Sequence, residues 1–266
     1  MEYKVDLQSL RAQVEPLMRK AGDLQLSLFR SDKLDVRRKA DQSYVCNADI
    51  ESEELLKEGL HKIFDEAGFF AEESGKSEGE AAYHWVIDPL DGTTNYVHGL
   101  PYFGISVALT YKYKSIWGAV FNPIANDFFY AIKGAGAFLG DKKLSMHDGR
   151  SMRNTMVIIG LPYTRNEGFK KILRKIPEIA KSCYAFRHFG SAALDQAYLA
   201  RGGLDGIFFP RLGWWDIAAG MLLVTESGGL VTDFEGKEVD YDYNSYLAGS
   251  VAVHAELVAL LKNGPI

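Results

Sequence analysis

A strand that ends in two carboxylates is the feature of this sequence that most restricts its fold. The apolar run from Tyr83 to Ile87 is typical of a buried strand. It leads directly into Asp88 and Asp91, which stand on either side of Pro89. Because proline has no N–H and a fixed φ, we expect the strand to end at this residue and the backbone to turn. The sequence therefore predicts a buried strand whose end presents two acidic side chains.

Two carboxylates this close repel each other, by about 4 kcal/mol at a separation of about 4 Å and an effective dielectric near 20. Apart from His84, no basic residue lies between Ala81 and His98, so the carboxylates splay into water, one is protonated, or cations lie between them. Gly92 then permits close approach to the backbone, and Thr93 suits a helix start, where free N–H groups bind anions. Acids that bind hard cations beside donors that bind anions indicate a metal and phosphate site.

The composition narrows the class of protein. A chain of 266 residues with 47% hydrophobic and 24% charged residues can bury a large core, as one domain or two tightly packed halves. Its net charge of −5 argues against a nucleic-acid surface. We expect neither a signal peptide nor a membrane span, because the first residues are charged and no stretch approaches ~20 apolar residues. Cys46 and Cys183 are typical of reduced thiols, which favours a cytoplasmic protein.

The remaining pattern indicates how the chain is organised. Alternating apolar residues predict antiparallel strands over 102–111, 116–121 and 128–132. The glycines from Gly134 to Gly140 suggest a hairpin turn instead of a dinucleotide loop, because the third glycine is misplaced and no helical pattern follows. The charged stretch from Ser31 to Gln42 is either a solvated loop or a flap over the site. We expect two halves, 1–146 with an antiparallel sheet and 147–266 with alternating strands and helices, packed as one compact unit.

Three sequence blocks resemble the inositol monophosphatase family of Mg²⁺-dependent, lithium-sensitive phosphatases. The blocks are Asp-Pro-Leu-Asp-Gly-Thr-Thr-Asn at 88–95, Ala-Glu-Glu-Ser at 71–74 and Trp-Asp-Ile-Ala-Ala-Gly at 215–220. They stand in the family's order and span most of the chain. The resemblance implies an α+β fold of alternating helix and sheet layers (αβαβα), of the sugar-phosphatase type. It also implies a homodimer.

The resemblance assigns roles to individual residues. It implies that two or three Mg²⁺ ions are held by Glu72, Asp88, the Leu90 carbonyl, Asp91 and Asp216. It implies that Thr93, Glu72 and Asp49 orient the attacking water, and that the N–H groups of Gly92 and Thr93 hold the phosphate. Ordinary structural explanations also exist: Asp49 and Asp216 suit helix N-terminal caps, and Glu72 with Glu73 suits a solvated acidic turn. A carboxylate has enough lone pairs to cap a helix and to bind a metal ion at the same time.

Substrate recognition is the part of the pattern that departs from the family. By resemblance, the alcohol moiety of the substrate meets Asp91, Gly190, Ser191 and Ala192. Seven positions before Asp216, members that hydrolyse inositol phosphates usually carry glutamate, and this chain has Phe209, which cannot accept hydrogen bonds from hydroxyls. Arg211 could pair with a second phosphate or carboxylate, or it is a solvated loop residue.

The function expected from these observations is Mg²⁺-dependent hydrolysis of a small phosphorylated polyol or sugar, most closely an inositol-1-phosphate-like ester. The alternatives within the enzyme class are fructose-1,6-bisphosphatase, 3′-phosphoadenosine-5′-phosphate phosphatase and histidinol-phosphate phosphatase. An alternative of another class is a regulatory binding protein that retains the fold. A binding protein, however, has no physical need for carboxylates that repel each other.

Overall fold

A computed structural model describes residues 3–40, 42–77, 79, 81–146, 150–161, 167–210, 212–243 and 245–262. Within them, the helices are α1 (Leu10–Leu28), α2 (Asn47–Ile63), α3 (Thr93–Val97), α4 (Glu167–Ser182), α5 (Ala192–Ala200), α6 (Trp214–Glu226) and α7 (Val251–Lys262), with a 3-10 turn at Met152–Asn154. The strands are β1 (Val36–Arg38), β2 (Tyr44–Cys46), β3 (Gly68–Ala71), β4 (Gly75–Lys76), β5 (Tyr83–Asp91), β6 (Gly104–Tyr111), β7 (Lys114–Asn122), β8 (Asp127–Ile132), β9 (Gly136–Leu139), β10 (Lys142–Lys143), β11 (Met156–Ile159), β12 (Ala185–Arg187), β13 (Gly206–Pro210), β14 (Leu230–Thr232) and β15 (Ser245–Gly249).

Two sheets and three helix layers alternate through the molecule. The larger sheet has the strand order β10-β9-β8-β7-β6-β5-β3-β4, and the smaller has the order β12-β11-β13-β15-β14. Helices α1 and α2 cover the outer face of the larger sheet, and α4 and α7 cover the outer face of the smaller. Helices α5 and α6 lie between the sheets. This order confirms the predicted αβαβα sandwich.

The position of strand β5 explains why the run from Tyr83 to Ile87 is apolar. Trp85 and Ile87 pack toward α1 and α2, whereas Val86 packs toward α5 and α6. Successive side chains of a strand point to opposite faces, and both faces of this sheet are covered by helices. All of β5 is therefore buried.

The prediction that β5 ends at Pro89 is wrong. The strand continues to Asp91: Asp88 pairs with Ser106 and Asp91 with Gly104, with a shift of register between them. The bulge accommodates the proline that cannot donate to the ladder. The Pro89 carbonyl accepts a hydrogen bond from Gln25 Nε2 of α1 at 2.6 Å. Both carboxylates thus belong to a strand end held by its neighbours, not to a free turn.

The antiparallel strands and the glycine hairpin of the first half are confirmed. β6, β7, β8 and β9 form a meander. Gly134 lies in the turn between β8 and β9 and Gly136 begins β9, and both have positive φ. The stretch predicted as a flap or loop forms the small β1–β2 hairpin. Helix α2 begins at Asn47, two residues before the predicted start at Asp49.

The proposed division into two halves corresponds to the two sheets, but helices cross it. The larger sheet uses strands up to Lys143 and the smaller uses strands from Met156 onward. Helix α6 packs against strands of both. The boundary at 146/147 stays a prediction, and residues 147–149 lie outside the described residues. In the described part of the chain, no helix combines the length and apolar character that crossing a bilayer requires.

Candidate active site

A cavity of about 520 Å³ lies where the ends of several elements meet. The end of β5, the start of α3, the segment before α5, the carboxyl ends of β11 to β13 and the start of α6 all contribute to its wall. These elements are far apart in sequence, and packing of the two sheets around α5 and α6 brings them together. Concave sites at strand ends are the common location of ligands in layered α/β structures.

Three carboxylates meet at one end of this cavity. Asp88 and Asp91 come from the bulged end of β5, and Asp216 comes from the first turn of α6. One ligand oxygen from each lies within 4.8 Å of the others. Acidic groups from distant segments in one pocket are the oxygen donors that hard divalent cations prefer.

The hydrogen bonds of this cluster leave one fully buried oxygen without a partner. Asp91 Oδ2 accepts from the Ser191 hydroxyl and from the Ala193 N–H, both at 2.6 Å. Asp216 Oδ2 accepts from the Gly213 N–H at 2.6 Å. Asp88 Oδ1 accepts from the Leu90 N–H at 3.0 Å, but Asp88 Oδ2 is buried without a hydrogen-bond partner. An orphaned buried carboxylate oxygen fits a cation as its missing partner.

The charge state of the cluster agrees with this fit. Burial, followed by repulsion from the neighbouring acids, raises the pKa of Asp88 and of Asp216 well above the usual range. Burial raises the pKa of Asp91 to about 6, although its bonds from Ser191 and the α5 backbone act in the opposite direction. The anionic cluster is thus unfavourable in the protein alone, and a divalent cation would reverse that penalty.

Glu72 flanks the three aspartates and is paired with a lysine. Lys39, from the β1–β2 hairpin, donates to Glu72 Oε1 at 2.8 Å and to Glu73 Oε1 at 2.6 Å. Burial raises the pKa of Glu73 to about 7, with Lys39 opposing the shift. Repulsion from Glu72 is among the causes of the raised pKa of Asp88, so Glu72 lies within electrostatic reach of the aspartates. Glu72 therefore lines the cavity, and both glutamates are half-buried and paired with Lys39.

Asp49 reaches the cavity through Thr93. Asp49 is fully buried at the start of α2, and its Oδ2 accepts from the Cys46 N–H at 2.8 Å and the Cys46 thiol at 2.7 Å. The Thr93 hydroxyl lies 3.0 Å from both Asp49 Oδ1 and the Leu90 carbonyl oxygen. Burial raises the pKa of Asp49 to about 6. Thr93 lines the cavity and connects it to a buried acid.

The helix-cap explanation of Asp49 and Asp216 holds in a modified form. Each occupies the third position of its helix and accepts the N–H three residues earlier, from Cys46 and Gly213 respectively. The prediction that Asp49 and Asp216 are the N-cap residues is wrong, because Cys46 and Gly213 occupy those positions. For Asp216 the cap uses one oxygen and leaves the other for the acidic cluster, so the structural and ligand roles coexist.

Gly92 is required by the local backbone. Its φ is 96°, and a Cβ there would lie 3.0 Å from the Tyr102 carbonyl oxygen and 3.2 Å from that of Gly190. Gly92 and Thr93 both line the cavity. Because α3 spans only Thr93–Val97, its dipole is small, and phosphate binding by these N–H groups stays a prediction.

The structure places the predicted substrate-binding residues differently with respect to the cavity. Gly190, Ser191 and Ala192 line the cavity. Phe209 also borders it but is only 1% exposed, with its ring stacked on Tyr246 at 5.8 Å between centroids. It therefore acts as a packed apolar wall. Arg211 lies outside the described residues.

Two features of the site were not predicted from sequence. Lys39 was one of several charges in a supposed loop, and nothing local marked it as the partner of Glu72. The Tyr102 hydroxyl donates to Asp195 Oδ1 at 2.8 Å beneath the cavity, and burial raises the pKa of Asp195 well above its usual range. The available signal was an acidic residue, Asp195, in a helix made mostly of alanine and leucine.

Comparisons with known proteins agree with this fold. The profile of the inositol monophosphatase family matches residues 6–264. Nus factor SuhB of Pasteurella multocida is 40% identical over 220 residues, 82% of each chain. Inositol-1-monophosphatase of Mesorhizobium japonicum is 34% identical over 254 residues, 95% of this chain and 96% of the relative. The crystal structure of SuhB from Bartonella henselae is 33% identical with a TM-score of 0.92, covering 97% of this chain and all of that one.

A layered αβαβα fold around an acidic, cation-compatible cavity defines a class of metal-dependent phosphatases. Within that class, the chain belongs to the inositol monophosphatase family, whose profile covers nearly all of it.

Proposed function

We propose that this protein is a Mg²⁺-dependent phosphomonoesterase that hydrolyses a small phosphorylated polyol or sugar, most closely an inositol-1-phosphate-like ester. The observation that carries the proposal is the group of three aspartates, Asp88 and Asp91 buried and Asp216 half-buried, with an orphaned Asp88 oxygen beside a ligand-sized cavity. Relatives that are named inositol-1-monophosphatase support the same substrate class.

The donor set suits magnesium. We assign Glu72, Asp88, the Leu90 carbonyl, Asp91 and Asp216 as the residues that would hold two or three ions, all through oxygen. Bound Mg²⁺ supplies charge to neutralise the phosphate and lowers the pKa of water, which phosphate esters require because their uncatalysed hydrolysis is so slow. Lithium sensitivity, a homodimeric state and a cytoplasmic location remain predictions from the family resemblance.

Thr93 and Asp49 would orient the attacking water. If the Thr93 hydroxyl donates its proton toward Asp49 Oδ1, 3.0 Å away, its lone pairs are left to accept a hydrogen bond from water in the cavity. Asp49 is in turn fixed by Cys46, so the hydroxyl has little freedom to reorient. Glu72 would accept the second hydrogen of that water. Positioning of this kind, without a covalent intermediate, is sufficient for direct attack on phosphorus.

The other end of the cavity would hold the alcohol part of the ester. Ser191 and the Ala193 N–H fix Asp91 from below, and Gly190, Ser191 and Ala192 line the wall. Phe209 has a nearly buried ring and offers no hydrogen-bonding group at the position where many inositol phosphatases carry glutamate. We therefore propose a substrate that presents an apolar face on that side.

The test is a phosphate-release panel with Mg²⁺ over polyol and sugar monophosphates, bisphosphates and nucleotides, on the wild type and on Asp216→Asn. The asparagine can still accept the Gly213 N–H, so the fold is kept while one ligand charge is lost. We expect a loss of at least about 100-fold, because electrostatic stabilisation by a bound ion is worth several kcal/mol. Undiminished turnover by the variant would contradict the metal assignment.

A second candidate of another class comes from the relatives' names. Several are called Nus factor SuhB, the name of a factor and not of a hydrolase. A wild-type protein that released no phosphate from any ester in the panel, while binding Mg²⁺, would favour this regulatory binding role over the phosphatase.

A further inference from the structure

Three parallel strands of the smaller sheet end at the cavity. β11 pairs in parallel with both β12 and β13, so their carboxyl ends lie along one edge. The residues at these ends that line the cavity are Gly160, Leu161, His188, Phe189 and Phe209. The acidic cluster occupies a different part of the wall, formed by β5, α3 and α6. A phosphate held at the acids would therefore direct the rest of the ester toward this strand edge.

His188 is the polar member of that edge. Among the described cavity-lining residues at the three strand ends, the others are glycine, leucine or phenylalanine and carry no polar side-chain atom. Ser191 follows shortly, but its hydroxyl proton is donated to Asp91. The position that carries glutamate in many inositol phosphatases is Phe209, whose ring is almost wholly buried. Any side-chain hydrogen bond from these three strand ends to an alcohol moiety thus falls to His188.

One hydrogen bond fixes what His188 can recognise. Its Nδ1 lies 2.8 Å from the Ile159 carbonyl oxygen at the end of β11. A carbonyl oxygen only accepts, so Nδ1 carries the proton. In the neutral imidazole, Nε2 is then an acceptor, and the ring's orientation is set by the strand that holds Nδ1. The side chain is solvent-exposed, so Nε2 is accessible to a ligand.

We propose that His188 is a specificity-determining residue whose Nε2 accepts a hydrogen bond from a hydroxyl of the substrate's alcohol part. This inference rests on the proposed function and sharpens it. The preferred substrate is the monophosphate of a polyol that presents one hydroxyl to His188 and an apolar face to Leu161. An acceptor nitrogen repels a phosphate oxygen, so a second phosphate at this position is disfavoured.

Two conservative variants separate the two nitrogens of His188. In His188→Asn, the side-chain amide can replace Nδ1 at the Ile159 carbonyl, but nothing replaces Nε2. In His188→Gln, the longer side chain places an amide oxygen near the position of Nε2. Steady-state kinetics with Mg²⁺ would compare inositol 1-phosphate with para-nitrophenyl phosphate, an ester without hydroxyls. The inhibition constant of inorganic phosphate and thermal unfolding would be measured alongside.

We expect His188→Asn to lower kcat/KM for inositol 1-phosphate about tenfold, mainly through KM, because one neutral hydrogen bond is lost. Hydrolysis of para-nitrophenyl phosphate and inhibition by inorganic phosphate should not change, and His188→Gln should retain most of the wild-type preference. Equal losses on both esters, or no loss on either, would overturn the assignment. A wild type that hydrolyses neither ester would overturn the proposed function, and the His188 assignment with it.

Discussion

Replacement of Asp91 by asparagine should stabilise the metal-free protein at pH 8 and remove most of its stabilisation by Mg²⁺. Asp91 is 7% exposed, and its burial raises its pKa to about 6 from an ordinary value of 3.8. Asparagine is nearly isosteric and can still accept hydrogen bonds from Ser191 and Ala193 through its carbonyl oxygen. The substitution therefore removes mainly the charge.

The magnitude follows from the shift in pKa. One pKa unit corresponds to about 1.4 kcal/mol, so ionised Asp91 costs the folded protein up to about 3 kcal/mol when no cation is bound. For a chain of this size, that energy corresponds to roughly 5 to 10 °C in Tm. Because the pKa of Asp91 is higher in the folded protein than in the unfolded chain, the wild type loses up to about 3 kcal/mol of folding stability as pH rises from about 4 to 6. Above pH 6 the loss is complete, and the variant should be more stable by the full amount.

The assay is thermal unfolding at pH 4, 6 and 8, in EDTA and in excess Mg²⁺. Asp65→Asn, an exposed acid away from the cavity, is the matched control and should behave like the wild type. In EDTA the difference between Asp91→Asn and wild type should grow from near zero at pH 4 to its maximum at pH 8. In Mg²⁺ the wild type should gain stability and the variant little. A variant that is less stable than wild type in EDTA at pH 8, or equally stabilised by Mg²⁺, would refute the reasoning.

Two further substitutions test the apolar wall of the cavity and the β1–β2 hairpin beside it. Gly160→Ala would place a Cβ 2.2 Å from Phe209 Cδ1 and should lower the free energy of unfolding in urea by about 1–3 kcal/mol. In the control Gly203→Ala, the new Cβ meets only the Tyr198 carbonyl oxygen, at 3.4 Å. Equal stabilities of the two variants would show that the Phe209 ring moves freely. Lys39→Met removes an ammonium that competes for Glu72, so calorimetry should show Mg²⁺ binding several-fold more tightly. Weaker binding would mean that Lys39 assists the ion.

Much of this protein was predictable because the information is local. The apolar run before Asp88 predicted a buried strand, and the alternating pattern predicted the antiparallel strands that became β6, β7 and β8. The resemblance of three short blocks correctly identified the family and the layered fold, which the profile match over residues 6–264 and the strand order confirm. The assigned metal ligands remain a proposal, although three of them meet within 4.8 Å.

The tertiary structure decided what depends on partners distant in sequence. Pro89 was expected to end its strand, but pairing with β6 and the hydrogen bond from Gln25 carry the strand on to Asp91 through a bulge. Lys39 pairs with Glu72, and the carbonyl of Ile159 fixes the ring of His188, because hairpin and strand ends are placed by sheet packing. Local propensity is set by neighbouring residues, whereas charge pairing, burial and ring orientation depend on atoms that only the folded chain brings within a few ångströms.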